Sequence, residues 1–514
     1  MVEKQLRQRA HAARLDFVPI ATQPIATSVI EKIDFPRARA AACLPFAQNN
    51  SGLSVAVAEP ASPATQNFLQ TLKKLTPKIY LANRADILNR LSALAQQQPK
   101  PKPNKNLSFT GGPTKKLPDL QNSLTKLSAK AALQQILLGA LQLKASDLHF
   151  QFEETKFLIR TRVDGVLLKV LEFDSKFGTE LLTQLKYEAK LSLNVREIPQ
   201  DGRLTFATPA GQVDVRIATF PSIFGETAVC RLLNRQQKIL SLAELGFRNQ
   251  TLAHLEATQN FTEGLILVTG PTGSGKTTTL YTLLQHLNSP TKKTLTLEDP
   301  VEYHLAGIVQ SQIDPAHDFS FARGLRALLR QDPDTLMIGE IRDNETAVTT
   351  ASAALTGHTV LTTLHTNSAL DTLIRLQHLG LPNFILAASL KLVVSQRLVR
   401  KPCPHCQAKT PLTAKQRQFF AKFQIPAPEL LVVARGCKDC HESGYLGRIA
   451  LAESFRVGKL LRNFILQNAE LAQLQEAARA SGLSSLTLDG LQKAARGLTT
   501  LAELTRVLGL PVLS

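Results

Sequence analysis

Gly270-Pro271-Thr272-Gly273-Ser274-Gly275-Lys276-Thr277 decides the fold of this chain. The run satisfies every fixed position of the phosphate-cradling pattern G-x-x-x-x-G-K-[ST]. Its surroundings agree: Leu265-Ile266-Leu267-Val268 predicts a buried strand leading in, and Thr278 to Leu287 a helix leading out. Glycines let the backbone close around phosphate oxygens where a side chain would block the approach. Successive N–H groups and the positive end of the following helix then face the anion. Gly270, Pro271, Thr272, Gly273, Ser274, Gly275, Lys276, Thr277 and Thr278 are the expected phosphate-binding set. Lys276 should reach the β- and γ-phosphates, and Thr277 should ligate Mg²⁺. A glycine-rich turn without a ligand is the plain alternative, and the order strand, loop, helix argues against it.

Working outward, residues 243–400 alternate strands and helices, which predicts an α/β domain with a mostly parallel sheet covered on both faces. Thr294-Leu295-Thr296-Leu297 runs into Glu298 and Asp299. Thr335-Leu336-Met337-Ile338 runs into Gly339 and Glu340, and Thr359 to Leu364 runs into His365. Ligands of open α/β sheets bind at the carboxyl ends of strands, so Lys276, Glu298, Glu340 and His365 should meet in one crevice. ATP hydrolysis needs a phosphate cradle, Mg²⁺, an oriented water and charge neutralisation at the γ-phosphate. Glu340 is the candidate to polarise the water, and His365 to sense the γ-phosphate. Gly339 stands where many such enzymes carry a metal-binding Asp, which leaves Glu298, Asp299 and Glu302 as candidates for the second Mg²⁺ contact. Helix capping or turn formation is the structural alternative for these acids, a core role for His365, and a weaker candidacy attaches to His358. Arg203, Arg216 and Arg231 are candidates to complete the site across a subunit interface; ordinary ion pairs are their alternative.

The whole chain has 514 residues, 44% of them hydrophobic, enough for three or four domains at roughly ordinary sizes. Its net charge of +19 suits an anionic partner or a merely basic surface equally. No stretch is apolar enough to span a bilayer; Phe384 to Val399, the best, is interrupted by Lys391, Ser395, Gln396 and Arg397. The charged start, Met1 to Arg14, has no apolar core behind it and does not read as a secretory signal. A cytosolic protein docked peripherally on a membrane through partners is the expectation. Cys403/Cys406 and Cys437/Cys440 form two C-x-x-C knuckles, which in a cytosolic chain predict a closed, structural Zn²⁺ site. Cys43 and Cys230 stand alone and read as small core residues.

The expected organisation is an α/β module at 1–95, a flexible, basic, proline-rich linker at 96–123, a second α/β module at 124–242, the nucleotide core at 243–400, a tetracysteine element at 401–447 and a helical tail at 448–514. In the second module, Leu148–Phe152, Phe157–Val163 and Val213–Ala218 read as strands. Asp164-Gly165 reads as a hairpin turn.

These residues resemble the secretion ATPase superfamily, specifically the assembly ATPases of bacterial type II secretion and type IV pili. The resemblance lies in the acidic box Leu297-Glu298-Asp299-Pro300-Val301-Glu302-Tyr303, in Leu325 to Asp334 continuing to Gly339-Glu340-Ile341-Arg342-Asp343, and in the histidine box Thr356-Gly357-His358 through Leu364 to Ala369. Gly339 is what this family has. Upstream, Ala145-Ser146-Asp147-Leu148-His149, Arg160 to Gly165, Pro199 to Arg203 and Asp214-Val215-Arg216 resemble its second N-terminal, PAS-like domain. Downstream, Gln396 to Arg400, the four cysteines and Gly444 to Arg448 fit as well. Residues 1–95 resemble the first domain only weakly; some members bind a cyclic dinucleotide there. Asp318 stands where the family often has Gly.

The resemblance implies a RecA-like core, a homo-hexameric ring at the cytoplasmic face of the inner membrane, and ATP, Mg²⁺ and Zn²⁺ as ligands. It implies an inner-membrane platform protein and a cytoplasmic docking protein as partners. The cysteine element and the first domain favour an assembly over a retraction ATPase. A ring-shaped nucleic-acid translocase is one rival; with no Trp and 5% aromatics the chain offers little for stacking single strands, and direct nucleic-acid binding is not expected. A nucleotide-binding scaffold without turnover is the other, and Lys276, Thr277 and Glu340 argue against it.

Overall fold

A computed structural model describes residues 2–13, 15–25, 29, 35–49, 52–72, 76–97, 121, 123–208, 211–234 and 239–511. Most of the basic, proline-rich stretch at 96–123 therefore lies outside the described residues. The chain divides into two compact units, Met1–Asn106 and Leu107–Ser514.

In the first unit, β1 (Asp16–Phe17), β2 (Cys43–Asn49), β3 (Gly52–Val57) and β4 (Pro77–Leu81) form one sheet in the order β1-β4-β3-β2. Leu44, Val55, Val57, Ile87 and Leu91 close its core, with Cys43 fully buried among them.

The second unit begins with six antiparallel strands: β5 (Asp147–Phe152), β6 (Lys156–Val163), β7 (Val166–Asp174), β8 (Gln200–Thr208), β9 (Gly211–Ser222) and β10 (Gly225–Asn234). Their order is β7-β6-β5-β10-β9-β8. Asp164 (φ 48°) and Gly165 (φ 83°) make the left-handed turn between β6 and β7, the geometry that the twist of a two-residue hairpin favours. One sheet face buries Leu148, Phe150, Phe206, Val215, Ile217 and Cys230 against the helices Ala129–Gln142 and Ser175–Glu188. Ser128 and Asp174 start those helices by accepting the N–H of Ala131 and Phe177.

The opposite face carries a row of charges. Arg203 on β8 stands opposite Arg216 on β9, which stands opposite Arg231 on β10. Arg231 in turn faces Asp147 on β5, and Asp147 faces Arg162 on β6. Directly opposed residues project to the same face, so one strip holds four arginines and one aspartate.

The nucleotide core is a seven-stranded sheet built from β11 (Gly264–Thr269), β12 (Thr294–Glu298), β13 (Val309–Gln312), β14 (Thr335–Ile338), β15 (Thr359–Leu364), β16 (Leu390–Pro402) and a last strand, Tyr445–Arg456. Two short strands of the cysteine element, β17 (Ala408–Pro411) and β18 (Leu430–Val433), precede that last strand, which is β19. The order is β13-β12-β14-β15-β11-β16-β19, parallel throughout except for β19. Leu265 and Leu267 pack with the helices Asn344–Leu355 and Asp371–His378 on one face. Ile266 and Val268 pack with Leu280, Leu283 and Leu284 of the helix Lys276–Leu287 on the other. A strand buried on both faces reads as an unbroken apolar run, which is what Leu265–Val268 is.

One stretch differs from its sequence reading, and another, left without an assigned element, is resolved. The apolar run at 384–399 splits into the helix Asn383–Ser389 and β16. The helical tail begins at Lys459 instead of 448, because Ile449 to Phe455 are all buried and pair antiparallel with β16. Asp318 sits at φ 56°, a left-handed position that glycine adopts without strain. Among the described residues, no helix is long and apolar enough to cross a membrane.

Candidate functional site

The carboxyl edge of the core sheet opens into a cleft of about 1000 Å³. Its floor is the loop from Pro271 to Thr278, which leaves β11 and enters the helix Lys276–Leu287. Gly270, Gly273 and Gly275 all have positive φ (141°, 78° and 89°). At Gly270 a Cβ would stand 2.5 Å from the Gln396 carbonyl oxygen and 2.7 Å from Ser274 Oγ, so only glycine fits. At Gly273 a Cβ would meet nothing, because the space there is the cleft itself. The Lys276 ammonium lies over the loop and donates to the carbonyls of Gly270 (3.0 Å) and Pro271 (3.1 Å). Burial lowers its pKa, nearby Glu340 opposes that shift, and Arg397 adds to it. Thr277 is exposed at the helix start and lines the cleft, where its hydroxyl could serve as a Mg²⁺ ligand.

Glu340 and His365 come together as their strand positions predict, with His365 Nε2 3.2 Å from Glu340 Oε2. Arg342 pairs with the other Glu340 oxygen and reaches Asp299 at 3.3 Å. Thr363 Oγ1 donates to the Gly339 carbonyl at 2.8 Å and so fixes the backbone just before Glu340. His358, at the far end of β15, sits with Nδ1 2.9 Å from the Ala353 carbonyl oxygen.

Glu298 lines the same cleft but is nearly enclosed, at 3% exposure. Burial raises its pKa, and three donors counter that shift: Thr296 Oγ1 at 2.5 Å, the Tyr281 hydroxyl, and Gln310 Nε2 at 3.1 Å. The Tyr281 oxygen also accepts the Glu302 N–H at 3.2 Å, which ties the acidic loop to the helix that carries Lys276.

The charged strip of the second module faces this loop. Arg216 donates to the Val301 carbonyl at 3.2 Å and lies 3.8 Å from Glu302. Arg231 lines the cleft and pairs with Asp147 at 3.0 Å. Arg203, at the outer end of the row, is exposed and does not line the cleft. Arg162 lines the cleft beside them and lies 3.8 Å from Asp147. The turn residue Asp164 accepts the Gly447 N–H at 2.7 Å and lies 3.5 Å from Arg448. The segment leaving the cysteine element thus holds the hairpin of the second module.

Several residues that matter here escape pattern reading. Gln396 on β16 is 1% exposed and braces the phosphate loop. Its Nε2 donates to the Ser274 carbonyl (2.7 Å) and its Oε1 accepts from Thr279 Oγ1 (2.9 Å). Arg397, beside it, lines the cleft and donates to the Asn367 carbonyl at 2.8 Å. Tyr281 and Gln310 hold Glu298. Gln396 and Arg397 fall in the stretch Gln396–Arg400 noted above for its resemblance, but that pattern assigns them no contact; Tyr281 and Gln310 belong to no motif read from the sequence, and each of the four acts across the sheet.

The four cysteines meet as their spacing predicts, with all Sγ atoms within 4.8 Å of one another. Cys403–Cys437, Cys406–Cys440 and Cys437–Cys440 are separated by 3.9, 3.7 and 3.7 Å. A tetrahedron with Zn–S bonds of about 2.3 Å has edges of about 3.8 Å. Backbone N–H groups of Gly436, Cys437 and Gly444 point at the sulfurs of Cys406, Cys440 and Cys440 at 3.2–3.3 Å, the polarity that suits thiolates. The donor set fits a structural zinc with no open position.

Comparison with known proteins agrees with this geometry. The family described as "Type II/IV secretion system protein" matches residues 124–506, and the MshEN domain matches residues 13–101. The type II secretion system protein E of Pseudomonas aeruginosa is 44% identical over 376 residues, 73% of this chain and 74% of that protein. The type IV pilus assembly ATPase PilB of Myxococcus xanthus is 42% identical over 373 residues, 72% of this chain and 66% of that one. The Legionella pneumophila ATPase DotB has a similar fold, with a TM-score of 0.54 and 22% identity, covering 73% of this chain and 95% of that structure. The chain belongs to the type II/IV secretion system protein family and is one of its ATPases.

Proposed function

We propose that this ATPase works as a homo-hexameric ring at the inner face of the cytoplasmic membrane and drives type IV pilus assembly or type II protein secretion. Hydrolysis moves the second module relative to the nucleotide core. An inner-membrane platform protein takes up the motion, a cytoplasmic docking protein recruits the ring, and membrane association is peripheral.

The observation that carries this reading is the construction of the cleft. Its floor is the phosphate loop; a wall includes the arginine strip of the second module, with Arg231 and Arg162 on the cleft and Arg216 on the acidic loop. A change of phosphate charge in such a cleft changes the force between its walls. Lys276 steadies the β- and γ-phosphates, Thr277 holds Mg²⁺, Glu340 orients the attacking water, and His365 reports the γ-phosphate to Glu340. Glu298, held by Tyr281, Thr296 and Gln310, fixes the acidic loop against the loop-bearing helix. Arg203, Arg216 and Arg231 supply positive charge to the site, within one chain or across the ring. Zn²⁺ on the four cysteines fixes the segment that holds the Asp164 turn.

Glu340→Gln tests the reading. It keeps size and hydrogen bonding but cannot polarise water, so ATP binding should survive while turnover falls by at least about a hundredfold. Wild-type turnover in the purified, ring-assembled variant would remove Glu340 from this role.

A further inference from the structure

We infer that Arg397 on β16 and Glu453 on β19 form a clamp that positions His365 against Glu340, reaching its backbone from the far side of the phosphate loop. The inference deepens the proposed function of the cleft and rests on His365 acting together with Glu340.

His365 opens the segment that joins β15 to the helix Asp371–His378. Its side chain is 51% exposed and meets Glu340 at 3.2 Å. Packing around the ring therefore does little to fix it, and the backbone beneath it must. Ser368 and Asp371 tie the segment to itself: the Ser368 N–H donates to Asp371 Oδ2 and the Asp371 N–H to Ser368 Oγ, both at 3.0 Å. Such local bonds stiffen a turn without placing it on the sheet.

Two other contacts place it. Arg397 Nη2 donates to the Asn367 carbonyl at 2.8 Å, and Glu453 Oε1 accepts the Ala369 N–H at 2.5 Å. The strand order here is β15-β11-β16-β19, so these side chains come from two and three strands away. The segment after β15 thus crosses the carboxyl end of β11, where the phosphate loop begins. Ser395 is paired with Glu453, and Val393 with Phe455. Alternate residues of a strand share a face, so Arg397 and Glu453 project on the same side as Val393 and Phe455. That side carries the helix Asp371–His378, whose Leu373 and Leu376 belong to the same core cluster.

The clamp is held from within. Glu453 is 8% exposed. Burial raises its pKa, the N–H groups of Ala369 and Leu486 and the Arg397 charge oppose that shift, and Asp371 adds to it. Burial lowers the pKa of Arg397, and the Glu453 charge counters it. A buried carboxylate is costly without partners; here its partners are an N–H of the histidine segment and the cation that holds a carbonyl of the same segment. Arg397 lines the cleft and Glu453 does not. Glu453 can therefore reach the reaction only through the segment it holds. A misplacement of about 1 Å at a reacting geometry costs on the order of a hundredfold in rate.

Turnover of the full-length, ring-assembled protein tests the clamp. Glu453→Ala should lower kcat at least about tenfold while KM for ATP stays within about twofold, because no group on the nucleotide changes. Glu453→Gln keeps the length and one carbonyl acceptor and should restore kcat to within about threefold of wild type. In a His365→Ala background, Glu453→Ala should cost less than about twofold more, since residues that act through one group are not additive. Hydrogen exchange over 365–371 should quicken about tenfold in Glu453→Ala and in Arg397→Ala. If Glu453→Ala does not fold, Arg397→Ala carries the exchange test. Wild-type kcat in Glu453→Ala beside an impaired His365→Ala overturns the clamp. A full further loss in the His365→Ala background, or unchanged exchange over 365–371, overturns it as well. Wild-type kcat in His365→Ala is a different failure: it removes His365 from the reaction, and the clamp loses its purpose with that reading.

Discussion

Gln396→Ala isolates the brace under the phosphate loop. Gln396 is enclosed at 1% exposure and spans from the Ser274 carbonyl to the Thr279 hydroxyl, at 2.7 and 2.9 Å. Its own carbonyl oxygen stands 2.5 Å from where a Gly270 Cβ would be, so one residue touches the loop near both ends. Alanine leaves the Ser274 carbonyl and the Thr279 hydroxyl buried without these partners, at about 1–3 kcal/mol each. Thr279 can turn its hydroxyl to a carbonyl of the preceding helical turn and recover nearly all of its share, which leaves the Ser274 loss. The lost volume adds about 1 kcal/mol. The sum, about 2–4 kcal/mol, should appear as a lower denaturant midpoint of the nucleotide core. The chain has no Trp, so circular dichroism is the suitable probe. A loop that has lost its brace holds phosphate poorly, so ATP and inorganic tripolyphosphate, which has no base, should both weaken by at least about tenfold. Gln396→Leu, which restores volume but not hydrogen bonds, should recover part of the stability and little of the affinity. Wild-type midpoint and wild-type tripolyphosphate affinity in Gln396→Ala would refute the reasoning.

Elsewhere the structure makes three further statements. Lys186 and Glu226 form a buried pair at 2.7 Å with both side chains 2% exposed, and Lys186 also donates to the Val195 carbonyl at 2.8 Å. Glu226→Ala strands that ammonium and should cost about 3–5 kcal/mol in chemical denaturation, whereas Lys186→Met with Glu226→Leu should cost less. A single variant as stable as the double would contradict this. Metal analysis of reduced protein should find about one zinc per chain, and chelation should speed amide exchange between 403 and 444; reduced protein that holds no zinc would exclude the site. Asp164→Ala removes the acceptor for Gly447 N–H and the partner of Arg448. Exchange of the β6–β7 turn and of Gly447 should rise together, by about tenfold for the roughly 1–3 kcal/mol such a bond contributes; unchanged protection would mean the contact holds nothing.

What could be read directly from the chain was whatever a few adjacent residues decide. Gly270, Gly273 and Gly275 mark backbone angles that other residues avoid, so the phosphate loop is explicit in the order of letters. Glu340 and His365 follow short apolar runs whose ends must share one edge, and two C-x-x-C knuckles carry their own ligand geometry. Other features exist only after distant segments meet. Sequence pattern places β19 in a helical tail because its partner β16 lies about fifty residues earlier, and only their pairing explains seven consecutive buried residues at 449–455. The arginine row depends on the register of β8, β9, β10, β5 and β6, which no local pattern encodes. Gln396 bracing Ser274 and Tyr281 holding Glu298 are likewise products of packing. Backbone angle and periodicity are local properties and survive in sequence. The alignment of side chains across strands and between modules is set by the folded chain as a whole, and the tertiary structure alone decides it.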